Sequence, residues 1–272
     1  MTFLVTGATG KAGRHVVDHL LQAGQQVRAL TRDPAKADLP PQVEVVAGDL
    51  TVPETLVPAF DGVTGVHLLT VGGDDYATLR TGPDIVALAL KSGVRRATVL
   101  WNGQLGPVEE AVETSELAWT RLQPVDFMGN TLGWAESIRT EDSVREPFGD
   151  VPAAMVHEAD VGAVAATALV EPGHAGKIYT LTGPEALTPR RRLDIIAAVI
   201  DRALRFDELT EEQARARWKQ AGHADELIDL LAAWQSDPPP EAYTVVPTVE
   251  NLTGRPARSF SEWVHGHAAH FS

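Results

Sequence analysis

The sequence predicts an α/β fold: a doubly wound parallel sheet followed by a smaller, mainly helical C-terminal part. Three observations carry that prediction. Over the first two thirds of the chain, short apolar runs alternate with amphipathic segments, as strands joined by crossover helices do. The first apolar run passes directly into a glycine-rich turn that opens a helix, "LVTGATGKAGRHVV". From about residue 184 onward, strand-like runs give way to helix-start signals.

Taken in order, strands are expected near residues 2 to 6, 26 to 30, 43 to 47, 64 to 70, 97 to 101 and 118 to 122. The helix "KAGRHVVDHLLQAG" puts Val16, Val17, Leu20 and Leu21 on one face and stops at Gly24, a residue suited to a left-handed cap. "TVPE" announces another helix, with Thr51 as N-cap, Pro53 in the first turn and Glu54 closing a capping box. Beyond residue 123, "VPAAMVHEAD" and "KIYTLTG" read as two more strands around an Ala/Val-rich helix near 159 to 170. Helix starts follow at Thr188 with Pro189, at Thr210 with Gln213, and at Ser259 with Glu262. "SDPPPE" is too proline-rich for either element and reads as an exposed connection. The run Arg190, Arg191, Arg192 is the only basic cluster and reads as a solvated first helical turn. These elements suggest residues 1–150 as a Rossmann-type nucleotide-binding domain, its sheet completed by segments within 151–183. Residues 184–272 then form the small substrate-binding part.

Composition narrows the function classes. With 272 residues, 44% of them hydrophobic and 22% charged, the chain has the makeup of a globular protein with a sizeable core. A net charge of −14 speaks against nucleic acid or an anionic membrane surface as partner. Cysteine is absent, which removes disulfides, thiolate catalysis and cysteine-bound metal, and no metal site is expected. "MTFLVTG" already reads as a strand and no run is long enough to span a bilayer, so no leader is expected and a cytoplasmic location is the default.

The glycine turn carries the first chemistry. Gly7, Gly10 and Gly13 let the backbone turn sharply and approach a pyrophosphate at the start of a helix. At the second strand end, where an NAD site places an acid, the chain has Thr31 and Arg32 in "VRALTRDP". Arg32 suits a 2′-phosphate, with Lys36 adding charge, so NADPH is the expected cofactor with NADH as the alternative, and an inward-turned Asp33 would weaken the preference. Asp49 reads equally as an acceptor for the adenine amino group and as a turn acid. Thr70, Val71 and Gly72, ending the fourth strand, fall along the cofactor's ribose and pyrophosphate.

These motifs resemble the NmrA-like group of extended and atypical short-chain dehydrogenase/reductases. The resemblance rests on "TGATGKAG", "ALTRDPAKA", "VEVVAGDLTVPETLVPAFDGV", "WTRLQPVDFMGNTL", "VHEADVGAVAATALV", "YTLTGPEALT" and "TGRPARSFSEWV" in that order. It implies an NAD(P)-binding domain, a small C-terminal substrate domain and a cleft between them. It places Gly7, Thr9, Gly10, Lys11, Ala12 and Gly13 on the pyrophosphate, Arg32 on the 2′-phosphate, and Asp49 with Leu50 near adenine. It also sets "QPVDFMGN" beside nicotinamide and substrate, with Pro124, Val125 and Phe127 walling the nicotinamide pocket. Gln123 departs from the group, which usually has arginine there. Members include reductases of quinones and aromatic ketones, among them ketoreductases that tailor angucyclinone-type antibiotics, and regulators that bind the cofactor without turnover.

The resemblance also exposes a gap. Short-chain reductases usually carry a Ser or Thr after the fifth strand and a Tyr whose phenol, assisted by a nearby Lys, protonates the carbonyl. The only tyrosines are Tyr76, Tyr179 and Tyr243, and none has lysine at the motif spacing. The fifth strand ends instead in "VLWNGQLGP", where Asn102 and Gln104 are the candidate catalytic residues, orienting the carbonyl while water or the substrate supplies the proton. His67, Asp126 and His157 are weaker replacement acids. Trp101, Asp126, Phe127, Met128, Asn130 and Trp134 are the candidate substrate contacts, with Trp218 and Trp234 on later helices. The expectation is an NADPH-dependent reductase of a ketone or quinone on a polycyclic aromatic, acting as monomer or homodimer. The alternative is a non-catalytic NADP(H)-sensing regulator working through a protein partner.

Overall fold

The computed structural model describes residues 1–73 and 77–272, so Tyr76 lies outside the described residues. The first elements are β1 (Thr2–Thr6), α1 (Gly13–Gln22), β2 (Gln26–Thr31), β3 (Glu44–Ala47), α2 (Val57–Phe60), β4 (Gly65–Leu69), β5 (Val71–Gly72) and β6 (Ala77–Thr78). Next come α3 (Gly82–Lys91), β7 (Arg96–Leu100), α4 (Pro107–Glu113), β8 (Ala118–Pro124), α5 (Ala135–Glu141), β9 (Ser143–Pro147), α6 (Glu158–Val170) and β10 (Lys177–Leu181). The last are α7 (Pro189–Ile200), β11 (Arg205–Leu209), α8 (Glu211–Gln220), α9 (Asp225–Ser236), α10 (Thr248–Thr253) and α11 (Phe260–His267). No helix among the described residues is long and apolar enough to cross a membrane.

The chain groups into two compact units. The first contains Met1–Pro124, Glu158–Leu181 and Thr248–Arg255. Its seven strands run parallel in the order β10-β8-β7-β4-β1-β2-β3. Strand order reverses between β1 and β4, the place where doubly wound sheets open a crevice at their carboxyl ends. Both faces of the central strands are covered, which is why Phe3, Leu4 and Val5 are all buried in an unbroken apolar run. On one face α1 meets α6 without a side chain between them: a Cβ on Gly162 would lie 2.5 Å from His15 Cβ and 2.8 Å from the Val16 nitrogen. His19 Nε2 lies 3.2 Å from the Ala159 carbonyl across the same contact.

His67 sits fully buried in β4, its Nδ1 2.9 Å from the Thr98 hydroxyl of the neighbouring β7. Burial lowers its pKa to about 4, so it is a neutral structural residue at pH 7, not a proton donor. The unfolded chain protonates this imidazole near 6.5 and the folded one only near 4, so stability is lost as pH falls through that window. Denaturant titrations at pH 6.5 and 5 should differ by about 1.5 kcal/mol on this account. The His67→Gln variant should lack that part of the difference.

The second unit contains Val125–His157, Thr182–Pro247 and Pro256–Ser272. Residues 125–150, grouped by sequence with the nucleotide-binding domain, pack here because Met128, Trp134, Ala135, Ile138 and Val144 belong to this unit's core. Phe260, Trp263 and Phe271 complete that core, with the Trp263 ring 5.7 Å from Phe260 and 4.2 Å from the ring of His267. β9 and β11 form a two-stranded parallel pair, and β11 lies in the part after residue 184 that was expected to be mainly helical.

Other expectations also need correction. "VPAAMVHEAD" is not a strand of the sheet. Ala153 exchanges backbone bonds with Leu187, Ala154 donates to Ala242, Met155 accepts from Gly183, and Val156 bonds Asp126 and Met128. Spread over so many partners, the segment satisfies its buried backbone without a ladder. At "TVPE" the first turn is a 3-10 helix, Pro53–Leu56, whose N-cap Val52 has no side-chain bond. Thr51 bonds Asp49 instead, and Thr55 supplies the local hydroxyl contact to the Val52 carbonyl.

Candidate functional site

In the first unit the turn after β1 has the form a dinucleotide phosphate needs. Gly7 takes φ +63, in the left-handed region, and its carbonyl accepts from the Gly10 N–H at 2.9 Å. Gly13 is fixed by space: a Cβ there would stand 2.0 Å from the Gly7 carbonyl oxygen. Arg14 reaches back to the Thr9 carbonyl at 3.0 Å and steadies the loop. No side chain caps α1 and no acid lies in its first turn, so the positive end of the helix keeps its affinity for an anion. Thr9, Gly10 and Lys11 are exposed at that end, while Ala12 is buried beneath it.

Beyond β2, Asp33 is committed locally. Its carboxylate accepts from the Ala35 N–H at 3.2 Å and pairs with Lys36 at 3.0 Å, while Thr31 accepts from the Asp33 N–H. Arg32 is exposed, and its charge acts on Asp49. Asp49 accepts from both the backbone N–H and the hydroxyl of Thr51, at 2.8 and 2.7 Å. The backbone bond, helped by the Arg32 charge, holds its carboxyl below the usual range. Leu50 packs on the core, and its carbonyl accepts from Thr81. Thr70 is buried and its hydroxyl donates to the Leu100 carbonyl, whereas Val71 and Gly72 form β5, paired with β6.

The turn after β7 uses its polar side chains on itself. The Asn102 side-chain oxygen accepts from the Gln104 N–H at 3.3 Å, and Glu109 accepts from the Gly106 N–H at 3.2 Å. Asn102 and Gln104 are both exposed. Trp101 is half-buried, and its indole N–H is enclosed with no partner among the described residues. Burial pushes the Glu109 carboxyl up.

The second unit contains a cavity of about 320 Å³. Its wall begins at Val125 and Asp126, immediately after the last residue of β8, and continues through Asn130, Thr131 and Trp134. Glu146, Phe148 and Arg192 face it from other elements, and Leu231, Trp234 and Pro238 form an apolar edge. Asp126 accepts from the Phe127 N–H at 2.9 Å and the Asn130 amide at 2.6 Å. The Trp134 indole donates to Glu146 at 3.0 Å, and the Arg192 guanidinium lies 4.9 Å from the Trp134 ring centre. Burial raises the Glu146 pKa and presses on the Arg192 charge, which the carboxylates of Asp126 and Glu146 sustain.

Residues 1–120 match the NmrA-like family. A (4-alkanoyl-5-oxo-2,5-dihydrofuran-3-yl)methyl phosphate reductase of Streptomyces griseus is 38% identical, covering 99% of both chains. The chain belongs to the NmrA-like family. This NmrA-like chain is also 34% identical to an NAD(P)H azoreductase of Xenophilus azovorans, over 98% of each. Its fold matches an NADPH-dependent quinone oxidoreductase of Escherichia coli solved with NADPH, at a TM-score of 0.80 and 26% identity, covering 97% of this chain and 99% of that one.

Within this NmrA-like protein, four of the expected substrate contacts, Asp126, Asn130, Trp134 and the outer Trp234, line one cavity. Val125, expected at the nicotinamide, lines it too, next to Pro124 at the end of β8. Met128 does not: it is 1% exposed and belongs to the hydrophobic core. Phe127 pairs with Val156 through a backbone bridge and is absent from the lining. Trp101 belongs to the first unit. Sequence reasoning missed Thr131, Glu146 and Arg192. The basic triplet is a solvated turn only in part: Arg190 pairs with Glu208 and Arg191 with Asp194, whereas Arg192 turns into the cavity. The available signal was spacing, since Arg192 precedes buried Ile196 by four residues and shares its helical face.

Proposed function

We propose that this NAD(P)H-dependent oxidoreductase reduces a conjugated ketone or quinone carbonyl on a flat, fused aromatic ring system, with NADPH the preferred cofactor. The observation that carries this reading is the cavity of the second unit, which combines Trp134, Phe148 and Trp234 with a few polar groups, the makeup of a small-molecule site. A volume near 320 Å³ suits a bicyclic ring.

The loop of Gly7, Gly10 and Gly13 fits a dinucleotide because only hydrogen is tolerated where Gly13 faces the Gly7 carbonyl. Gly7, Thr9, Gly10, Lys11, Ala12 and Gly13 would hold the pyrophosphate, Thr31 and Arg32 the 2′-phosphate end, and Asp49 and Leu50 the adenine. Thr70, Val71, Gly72, Pro124 and Val125 would continue the site toward the nicotinamide. When bound, NADPH supplies a hydride. The chain supplies the rest: in the second unit Trp134 and the apolar edge would hold the ring, and in the first unit Asn102 and Gln104 at the β7 turn are the proposed orienting groups. No tyrosine–lysine pair is needed if the acceptor is conjugated, because the anion formed is delocalised and takes its proton from water. Orientation of the reactants alone can contribute about 7 to 11 kcal/mol in ideal cases. The named relatives support this choice, since a dihydrofuranone with an alkanoyl group, an azo compound and a quinone are all conjugated acceptors.

NADPH deuterated at nicotinamide C4 should place label on the carbinol carbon of reduced aromatic ketones and be consumed stoichiometrically with naphthoquinones. Tight cofactor binding with neither result would overturn the reading and favour an NADP(H)-sensing regulator.

A further inference from the structure

The lining of the second unit's cavity includes two buried donors that meet no hydrogen-bond partner among the described residues. Thr131 is 1% exposed, and its hydroxyl has no hydrogen-bond partner among the described residues. The Arg192 Nε–H is likewise buried with no partner among the described residues. Another nitrogen of the same guanidinium donates to the Met155 sulfur at 3.2 Å, a weak acceptor. Both residues line the cavity, and buried donors left without acceptors are costly enough that native folds rarely keep them idle.

Position and charge indicate what fills the gap. The guanidinium is fixed against the Trp134 ring, and the indole N–H of that ring is committed to Glu146. Nε forms one prong of the side-on fork that arginine offers to two oxygens of a carboxylate or phosphate. The charged groups acting on Arg192 are Asp126 and Glu146, and those acting on Glu146 include Arg192 and Arg217. Asp126, Glu146 and Arg192 line the cavity, whereas Arg217 is exposed and outside its lining. One of those acids, Asp126, is occupied by the Phe127 N–H and the Asn130 amide. The other, Glu146, accepts from the Trp134 indole, and burial pushes its carboxyl up.

We propose that Arg192 and Thr131 form an anchoring subsite for an oxyanion on the substrate, a carboxylate or a phosphate monoester, carried on the same molecule as the conjugated carbonyl. The inference rests on the reading of this cavity as the substrate site, and it adds what that reading lacks, a charged handle that fixes which way round the ring lies. A guanidinium also discriminates, because a neutral analogue would leave the buried donors unanswered.

Calorimetric titration of the full chain with 2-naphthoate, 2-naphthyl phosphate and neutral naphthalene-2-carboxamide tests the subsite without turnover. At least one anion should bind about tenfold to a hundredfold more tightly than the amide. The tighter of the two identifies the oxyanion. Arg192→Gln should abolish the preference, Arg192→Lys should keep part of it, and Thr131→Val should reduce it less. Equal affinity for anions and amide, no binding of any of the three, or an Arg192→Gln variant that keeps the preference would overturn the proposal. Steady-state assays with naphthoquinones bearing the same anions separate the two readings. Anions bound through Arg192 on quinones that are never reduced leave the subsite standing and remove the reductase reading. Quinones reduced with no advantage for the charged ones do the reverse.

Discussion

Replacing Arg32 by alanine is expected to weaken NADPH binding by about tenfold to a hundredfold, the range for losing charge-assisted hydrogen bonds to a phosphate. NADH affinity should change by less than about twofold, since NADH lacks the 2′-phosphate that the guanidinium would pair with. The structure sharpens the expectation in one respect. The nearest acid that could redirect the preference, Asp33, is spent on the Ala35 N–H and Lys36. Asp49, although it feels Arg32, is tied to Thr51 by two short bonds. Fluorescence titration with both reduced cofactors reads the ratio directly, and an equal loss for the two would remove Arg32 from the 2′-phosphate. Because Arg32 is exposed, the NADPH advantage should also shrink as salt is added.

The Gly13→Ala variant should be the more damaging change. A methyl carbon 2.0 Å from the Gly7 oxygen and 2.6 Å from the Gly7 carbonyl carbon cannot be relieved by a rotamer, since both neighbours are backbone. Either the turn or the helix must shift by more than an ångström. A cost of about 2 to 3 kcal/mol in stability is expected, as for other overpacked sites. Cofactor affinity should fall by at least about a hundredfold, since anion binding depends on backbone N–H groups held in place. Gly24→Ala provides the contrast. It too alters a glycine beside α1, at φ +70, but nothing lies within 4 Å of the added carbon. It should cost about 1 kcal/mol of backbone strain and leave NADPH affinity unchanged. If both variants bind NADPH alike, close packing at Gly13 is not what shapes the loop.

The parts legible in the sequence are those where one local rule dominates. The central sheet strands announced themselves as apolar runs because a parallel sheet is covered on both faces there, whereas the edge strands β3 and β10 are less buried. Gly7, Gly10 and Gly13 were legible because a tight turn before a helix leaves few other choices. The second unit was harder. β9 and β11 are short and carry charged residues between their apolar ones, so "SVREP" and "RFDEL" look like polar loop or helix in isolation. Residues 151 to 156 have strand-like composition, yet their partners are dispersed, a tertiary fact with no local trace. Met128 and Arg192 were assigned the wrong way round for a related reason. Membership of "QPVDFMGN" put the methionine at a ligand, and the run of three arginines put the third in water. It is helical spacing and the packing of the second unit that bury the first and aim the second.

The contact between α1 and α6 bears on how this protein comes into being. The helix that opens the phosphate loop is seated on Gly162 and touches Ala159, some 140 positions later in the chain. β10 then extends the sheet beside β8, and α10 returns to the same unit from residue 248. During synthesis the glycine turn emerges first but gains its support late, a long-range closure of the slow-forming kind. A chain ending at residue 150 would carry every glycine of the fingerprint and still lack α6 and β10, leaving the apolar backs of α1 and β8 uncovered. Such a fragment should be prone to aggregate, and the capacity to bind a dinucleotide belongs to nearly the full length of the polypeptide.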